Sequence, residues 1–178
     1  MRIFRPPVIV LAIALMVPVR AAAAGQTPEP PRPLAWDIAR AVLIDPTTYA
    51  PALVAHEAMT RDWRTSQVLF AHGWVERNPR FTTSGLPNDA PIGYDAGNRI
   101  IRRESLRLLQ YSAINNAASG IAERLLTARY PSRRKLFRTL GWIERIGYAS
   151  FITYRNAADH FRQAGENRRL ATVYGYAR

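Results

Sequence analysis

The sequence predicts an all-α fold, a bundle of about four helices with one long ordered loop, on three observations. From Leu34 onward apolar residues recur at three- and four-residue steps, and long alternating β-branched runs are missing. The breaks at Asp45-Pro46 and Tyr130-Pro131 divide the chain into helix-sized pieces, because the residue before a proline avoids the helical region. The first helix is expected over 34–44 and stops at Asp45-Pro46. The second is expected to be capped by Thr47 or Thr48, to tolerate Pro51 in its first turn and to run to about Ala71. Its spacing puts Ala52, Met59, Trp63 and Phe70 on one face. The third is expected over 99–129, with Ile101, Leu108, Tyr111, Ala118, Ala122 and Leu125 as a buried stripe and Asn115 in its middle. After Tyr130-Pro131, Ser132 can cap a fourth helix. There Leu136, Leu140, Ile143, Gly147, Phe151, Tyr154, Ala158 and Phe161 make the most regular apolar face in the chain. Gly165 is expected to end or kink it, and the end of the chain, 173–178, is expected to fray.

Residues 78–98, between the second and third helices, hold nearly every common turn former. Connections beyond about 15 residues are usually functional or disordered. Phe81, Leu86, Ile92 and Tyr94 predict that this one is pinned to the bundle. A short echo, Gly73-Trp74-Val75-Glu76-Arg77 against Gly141-Trp142-Ile143-Glu144-Arg145, is not sustained by its flanks and reads as chance rather than duplication.

With 178 residues, 48% apolar and 21% charged, the chain has material for one core and is not compositionally disordered. The absence of cysteine excludes disulfides, thiolate-ligated metals, thiol nucleophiles and lipobox acylation. Basic residues number 25 against 13 acidic, and Lys135 is the single lysine. Such a surface attracts polyanions, nucleic acid in one compartment and anionic lipid in another.

The compartment is read from the N-terminus. Residues 1–24 have the pattern of a secretory signal peptide: Arg2 and Arg5, an apolar run from Val8 to Val19, then Ala22-Ala23-Ala24. The run has twelve residues, short of the roughly 20 a spanning helix needs, so cleavage near Ala24 is expected. Residues 25–33 form a proline-rich spacer, and 34–172 the helical bundle. Removing residues 1–24 leaves 22 basic and 13 acidic residues, so the exported chain stays cationic. An exported protein, periplasmic or envelope-associated, meets lipid rather than nucleic acid, and no nucleic-acid partner is expected. The oligomeric state is not legible.

Standard enzyme signatures are missing. His56-Glu57 starts like a zincin helix, but Thr60 stands where the second histidine is required. None of Glu57, Glu76, Glu123 and Glu144 is followed three residues later by histidine, which disfavours a carboxylate-bridged di-metal bundle. No metal or cofactor is expected. The leading candidate cluster is Asp62, Ser66, His72 and Glu76, which share about a third of the helical circumference if the second helix continues that far. An imidazole one turn from a carboxylate can hold a metal, move a proton or form a structural pair, and the structural pair is the expectation. Ser112, Asn115, Asn116 and Ser119 make the third helix small and polar at its centre. That pattern reads as close helix packing, with a ligand cavity lined by Asn115 as the alternative. Glu76, Glu123 and Glu144 each precede an arginine they cannot face, so each either reaches an arginine of another helix and sets registry or is solvated surface charge, and the sequence leaves both readings open. His160 is expected to be a packed or rim histidine.

Asp62-Trp63-Arg64-Thr65-Ser66 followed by Gly73-Trp74-Val75-Glu76-Arg77-Asn78-Pro79 resembles a motif in a family of small uncharacterised bacterial helical membrane proteins: an Asp, a Ser/Thr pair, then Gly-x-x-Glu-x-Asn-Pro. It adds Asn78 to the candidates and implies a membrane setting. His56, Glu57, Arg61, Asp62 and Arg64 crowd the same helix with more charge than an ordinary span carries. The whole chain also resembles uncharacterised exported helical proteins of soil bacteria with a similar Tyr-Pro break and Gly-Trp-x-Glu-Arg helix. The leading functional expectation is an exported, non-catalytic helical protein that binds an anionic membrane surface or an envelope protein. The alternatives are a small envelope enzyme or ligand carrier with a His/carboxylate pocket, and an integral membrane protein with short polar-lined helices.

Overall fold

The computed structural model describes residues 33–176. The expected signal peptide, and the spacer up to residue 32, lie outside the described residues. Among these, helix dominates: α1 (Leu34–Ala39), continued by a π turn (Arg40–Ile44), α2 (Ala50–Phe70), α3 (Tyr94–Arg129) and α4 (Arg134–Val173). The all-α bundle with one long ordered connection is therefore what the chain forms. No helix among the described residues is long and apolar enough to cross a membrane.

The break before α2 is built by Asp45, not by Thr47 or Thr48. Its carboxylate accepts from the Thr47 backbone N–H at 3.0 Å and from the Thr47 hydroxyl at 2.7 Å, starting a 3-10 turn over Pro46–Thr48. The Thr47 hydroxyl, while donating to Asp45, and the Thr48 hydroxyl both accept from the Asn116 amide, at 2.9 and 2.7 Å. That amide is buried, so leaving it unpaired would cost about 1–3 kcal/mol. It ties the turn to the middle of α3.

α2 is the central element. Ala52, Ala55, Met59 and Trp63 pack against Ile101 and Leu108 of α3 and Ile152 of α4, with Phe70 and Phe81 at the edge. The α4 side of the bundle is lined by small residues, Ala149, Ala157, Ala164 and Ala171, which let helix backbones approach closely. This overturns the expected α4 stripe. Leu136, Leu140, Ile143, Gly147, Phe151, Tyr154 and Phe161 are all exposed, Tyr154 to 76%. The α3 stripe is corrected similarly: Ile101 and Leu108 are buried, but Tyr111, Ala118, Ala122 and Leu125 are exposed. For the residues nearest the turn the cause is a difference in length, whereas Phe151, Tyr154 and Phe161 lie on the outer face of the part of α4 that packs on α2 through its alanines. α2 has 21 residues against 36 and 40 in α3 and α4, so their paired ends overhang it as a hairpin.

That hairpin is pinned from below by charge. Arg145, only 11% exposed, donates to Asp45 at 2.8 Å and lies 3.5 Å from Glu123. Glu144 accepts from Asn115 at 3.1 Å. Arg124 donates to Asp37 of α1 at 2.8 Å. Glu123 thus meets an arginine of another helix, as its sequence position allows. The Gly73–Arg77 echo lies outside helix while Gly141–Arg145 is inside α4, so the two segments are not equivalent units.

α3 starts at Tyr94, five residues before the expected boundary. The connection is closed by backbone pairs between Glu76 and Asp89 (2.9 and 3.1 Å) and between Phe81 and Ile92 (2.8 Å). The Phe81 ring packs tilted, at 42° and 5.1 Å, against Trp63, and the Trp63 indole N–H donates to the Tyr94 carbonyl at 3.0 Å. Leu86 is exposed and anchors nothing. The end of the chain is ordered through Tyr176 rather than frayed. α4 passes Gly165 without a break, Gly175 takes φ +71° to close it, and Tyr174 and Tyr176 fold back on Trp74 and His72.

Candidate functional site

An interhelical cleft of about 520 Å³ opens between the C-terminal half of α2, the segment 74–81 and α4 from Asp159 to Leu170. A volume of that order suits a small ligand. Its greasy wall is Met59, Trp63, Leu69, Phe70, Trp74 and Phe81.

The polar wall is a connected network centred on Asp62. One Asp62 oxygen faces His160 Nδ1 at 2.7 Å, and the other accepts from the Asn167 amide at 3.1 Å. Asn167 Nδ2 also lies 2.9 Å from the Ser66 hydroxyl and 3.3 Å from Thr65 Oγ1. Ser66 in turn donates to the Asp62 carbonyl at 2.9 Å. Gln163 holds the far side of Asn167 by donating to its Oδ1 at 3.0 Å. A carboxylate only accepts, so the His160 ring carries its proton on Nδ1 when neutral, and Nε2 is left as an acceptor.

Glu76 is the second carboxylate of the cleft. It is half-buried, and its Oε1 accepts the Asn78 backbone N–H at 2.7 Å. Burial pushes its carboxyl above the usual range, and the Asp62 charge adds to that; the loop N–H groups and His160 act in the opposite sense. Asn78 lines the cleft, but its side chain is used in the loop, accepting from the Arg80 N–H at 3.1 Å.

Of the six residues the sequence singles out, Asp62, Ser66, Glu76 and Asn78 converge here. His72 does not. α2 ends at Phe70 and the chain turns at Gly73 (φ +84°), so the His72–Glu76 spacing is never helical. His72 instead approaches the Val68 carbonyl at 2.8 Å and stacks on Tyr176 at 3.7 Å. Asn115 is spent on Glu144 near the other end of the bundle. Sequence reasoning missed His160 as a site residue and missed Asn167. Their signal was present as His160, Gln163 and Asn167 at i, i+3 and i+7 on α4, a polar row beside the apolar one. Among the described residues no group of three or more His, Asp and Glu side chains is arranged to hold a metal ion.

Fold and site together define an all-α bundle with a polar-and-aromatic cleft between two helices and a loop. No protein family, curated protein or solved structure matches the chain.

Proposed function

We propose that the protein binds a small molecule bearing an ammonium group on an apolar body, held in the cleft between α2, α4 and the 74–81 segment. The observation that carries this reading is Glu76. It is a half-buried carboxylate near the second carboxylate Asp62, and its Oε1 is held by the Asn78 backbone N–H, although Arg77 and Arg162 also line the cleft. A cation entering the cleft would relieve the cost of that burial. Asp62 offers a further acceptor for N–H donors, while Trp63, Phe70 and Trp74 suit an aromatic or alkyl body.

This is the pocket alternative from the sequence rather than the non-catalytic scaffold. The segment that resembles the small membrane-protein motif supplies Asp62, Ser66, Glu76 and Asn78, which supports reading that motif as a binding element. We keep the exported, envelope-associated location as part of the proposal, on the strength of residues 1–24. The test uses phenethylammonium with its neutral and anionic analogues, phenethyl alcohol and phenylpropionate. Phenethylammonium is expected to quench tryptophan fluorescence saturably and raise Tm, and Glu76→Gln to weaken it about tenfold or more. Equal binding of all three probes, no binding of the cation, or binding indifferent to Glu76→Gln overturns the reading.

A further inference from the structure

From residue 117 to residue 148 not one side chain is buried, although this stretch belongs to two well-formed helices and their turn. The apolar residues there are large and outward: Leu125, Leu136, Leu140, Trp142 and Ile143 are all exposed, between 39% and 65%. The exposed row of α4 continues through Phe151 and Tyr154, away from its buried alanines. At about 1.5 Å per residue the row from Leu136 to Tyr154 is nearly 30 Å long. An apolar helix face of that length normally packs against something.

The charges say what. Between residues 124 and 143 there are six cations and no carboxylate; Arg124 is paired with Asp37 and Arg138 lies 3.9 Å from Glu123, which leaves Arg129, Arg133 and Lys135 as the cations a docking surface would use. We propose that the α3–α4 hairpin is a docking surface for an anionic membrane, its cations against lipid headgroups and the leucines, Ile143 and Trp142 in the interface. Interfacial helices combine these features: basic residues beside an apolar face that carries tryptophan. A second copy of the chain fits less well, because Arg129, Arg133 and Lys135 would be brought against the same cations of the other copy, and the bordering Glu123 already faces Arg138 and Arg145. Nucleic acid would use the arginines but leave the aliphatic row in water. The inference is independent of the cleft, which lies around the opposite half of α2.

The chain has no cysteine, so Leu140→Cys and, as a control on the loop, Ser84→Cys can each carry one polarity-sensitive fluorophore in the full chain. Any lipid contact made by the apolar run Val8–Val19 is common to both labels. With phosphatidylglycerol-containing vesicles at low salt, the label at 140 is expected to shift to the blue and the label at 84 to stay unchanged. Pure phosphatidylcholine is expected to leave both unchanged. Replacing Arg129, Arg133 and Lys135 together by Glu is expected to weaken vesicle binding about tenfold or more, and added salt to act in the same direction. An equal response to neutral vesicles, or a response of both labels, overturns the proposal. So does a lipid-free shift that grows with protein concentration, or one produced by RNA in place of lipid. The lipid comparison uses the unreversed charges, so it decides the matter even if the triple variant misfolds.

Discussion

Asp62 of α2 and His160 of α4 lie 98 residues apart in sequence and 2.7 Å apart in space. The carboxylate that orients the imidazole also holds Asn167, one further α4 turn and more along. Removing the shared acceptor should therefore cost more than removing either partner. Asp62→Ala leaves the Asn167 amide, on a residue only 3% exposed, with fewer acceptors, and is expected to destabilise by about 1–3 kcal/mol. His160→Ala, at a residue about a third exposed, is expected to cost less than 1 kcal/mol or so. Urea unfolding of the two variants checks the order, and a larger loss for His160→Ala would remove Asp62 from the centre of the network.

Gly97 sets the crossing of α2 and α3. A Cβ built there overlaps the Trp63 indole ring itself, not a flexible end that could swing away. Trp63 is also anchored by its hydrogen bond to the Tyr94 carbonyl. Gly97→Ala should gain helix propensity yet lose stability by about 1–3 kcal/mol through overpacking. In a Trp63→Phe background, where the overlapping ring atoms are gone, the same change is expected to be neutral or stabilising. A sum of the two single effects in the double variant would show that the residues do not meet.

How much of this was legible in the chain can be judged from α4. Its helical period was plain from Leu136 to Phe161, but period identifies a helix and an amphipathic face, not which face is covered. The covering face is Ala149, Ala157, Ala164 and Ala171, small residues with little weight in any hydropathy reading. It is chosen because a close approach to α2 buries more backbone than a leucine row would allow. The site divides the same way. Asp62, Ser66 and Glu76 come from one stretch of chain whose polar spacing is visible. His160 and Asn167 reach them only through a tertiary contact. His72 joins the cluster only on the supposition that the second helix, expected to end at about Ala71, continues as far as Glu76; it ends at Phe70 and the chain turns at Gly73.

Arg145 is the best-buried cation of the ion pairs between helices and the turn before α2, and both of its carboxylate partners come from outside α4. Burial alone would raise the Asp45 carboxyl, but hydrogen bonds from Thr47 and the Arg145 charge outweigh it and hold Asp45 below the ordinary range. A lowered carboxylate stabilises the fold above its unfolded value, and the contribution is lost as pH falls through its folded value. Arg145→Ala is expected to cost about 3 kcal/mol, since it strands Asp45 and Glu123. In a double-mutant cycle with Asp45→Ala, coupling of about 1 kcal/mol or more at pH 7 is expected to shrink as pH falls through the lowered folded value of Asp45. Coupling that ignores pH would mean the contact is packing rather than charge.

Glu76 should behave in the opposite sense. Its folded carboxyl is raised, first by burial and then by Asp62, so the folded state holds the proton more tightly than the unfolded chain does. Below the unfolded value both states are protonated and burial exacts no charge penalty. As pH rises from there through the raised folded value, the penalty appears and then persists. Glu76→Gln keeps an oxygen for the Asn78 N–H but carries no charge. It is therefore expected to stabilise the protein at pH 7, by about 1 kcal/mol or less given that the group is only half-buried. Near pH 4 the gain should vanish. Thermal unfolding of the parent and variant across that interval checks both halves, and an ammonium ligand at saturation should reverse the ranking at pH 7 by stabilising the parent more than the variant. A variant less stable than the parent at pH 7 without ligand would mean that Glu76 already has its cation within the chain, and the reason for assigning the cleft to an ammonium group would be gone.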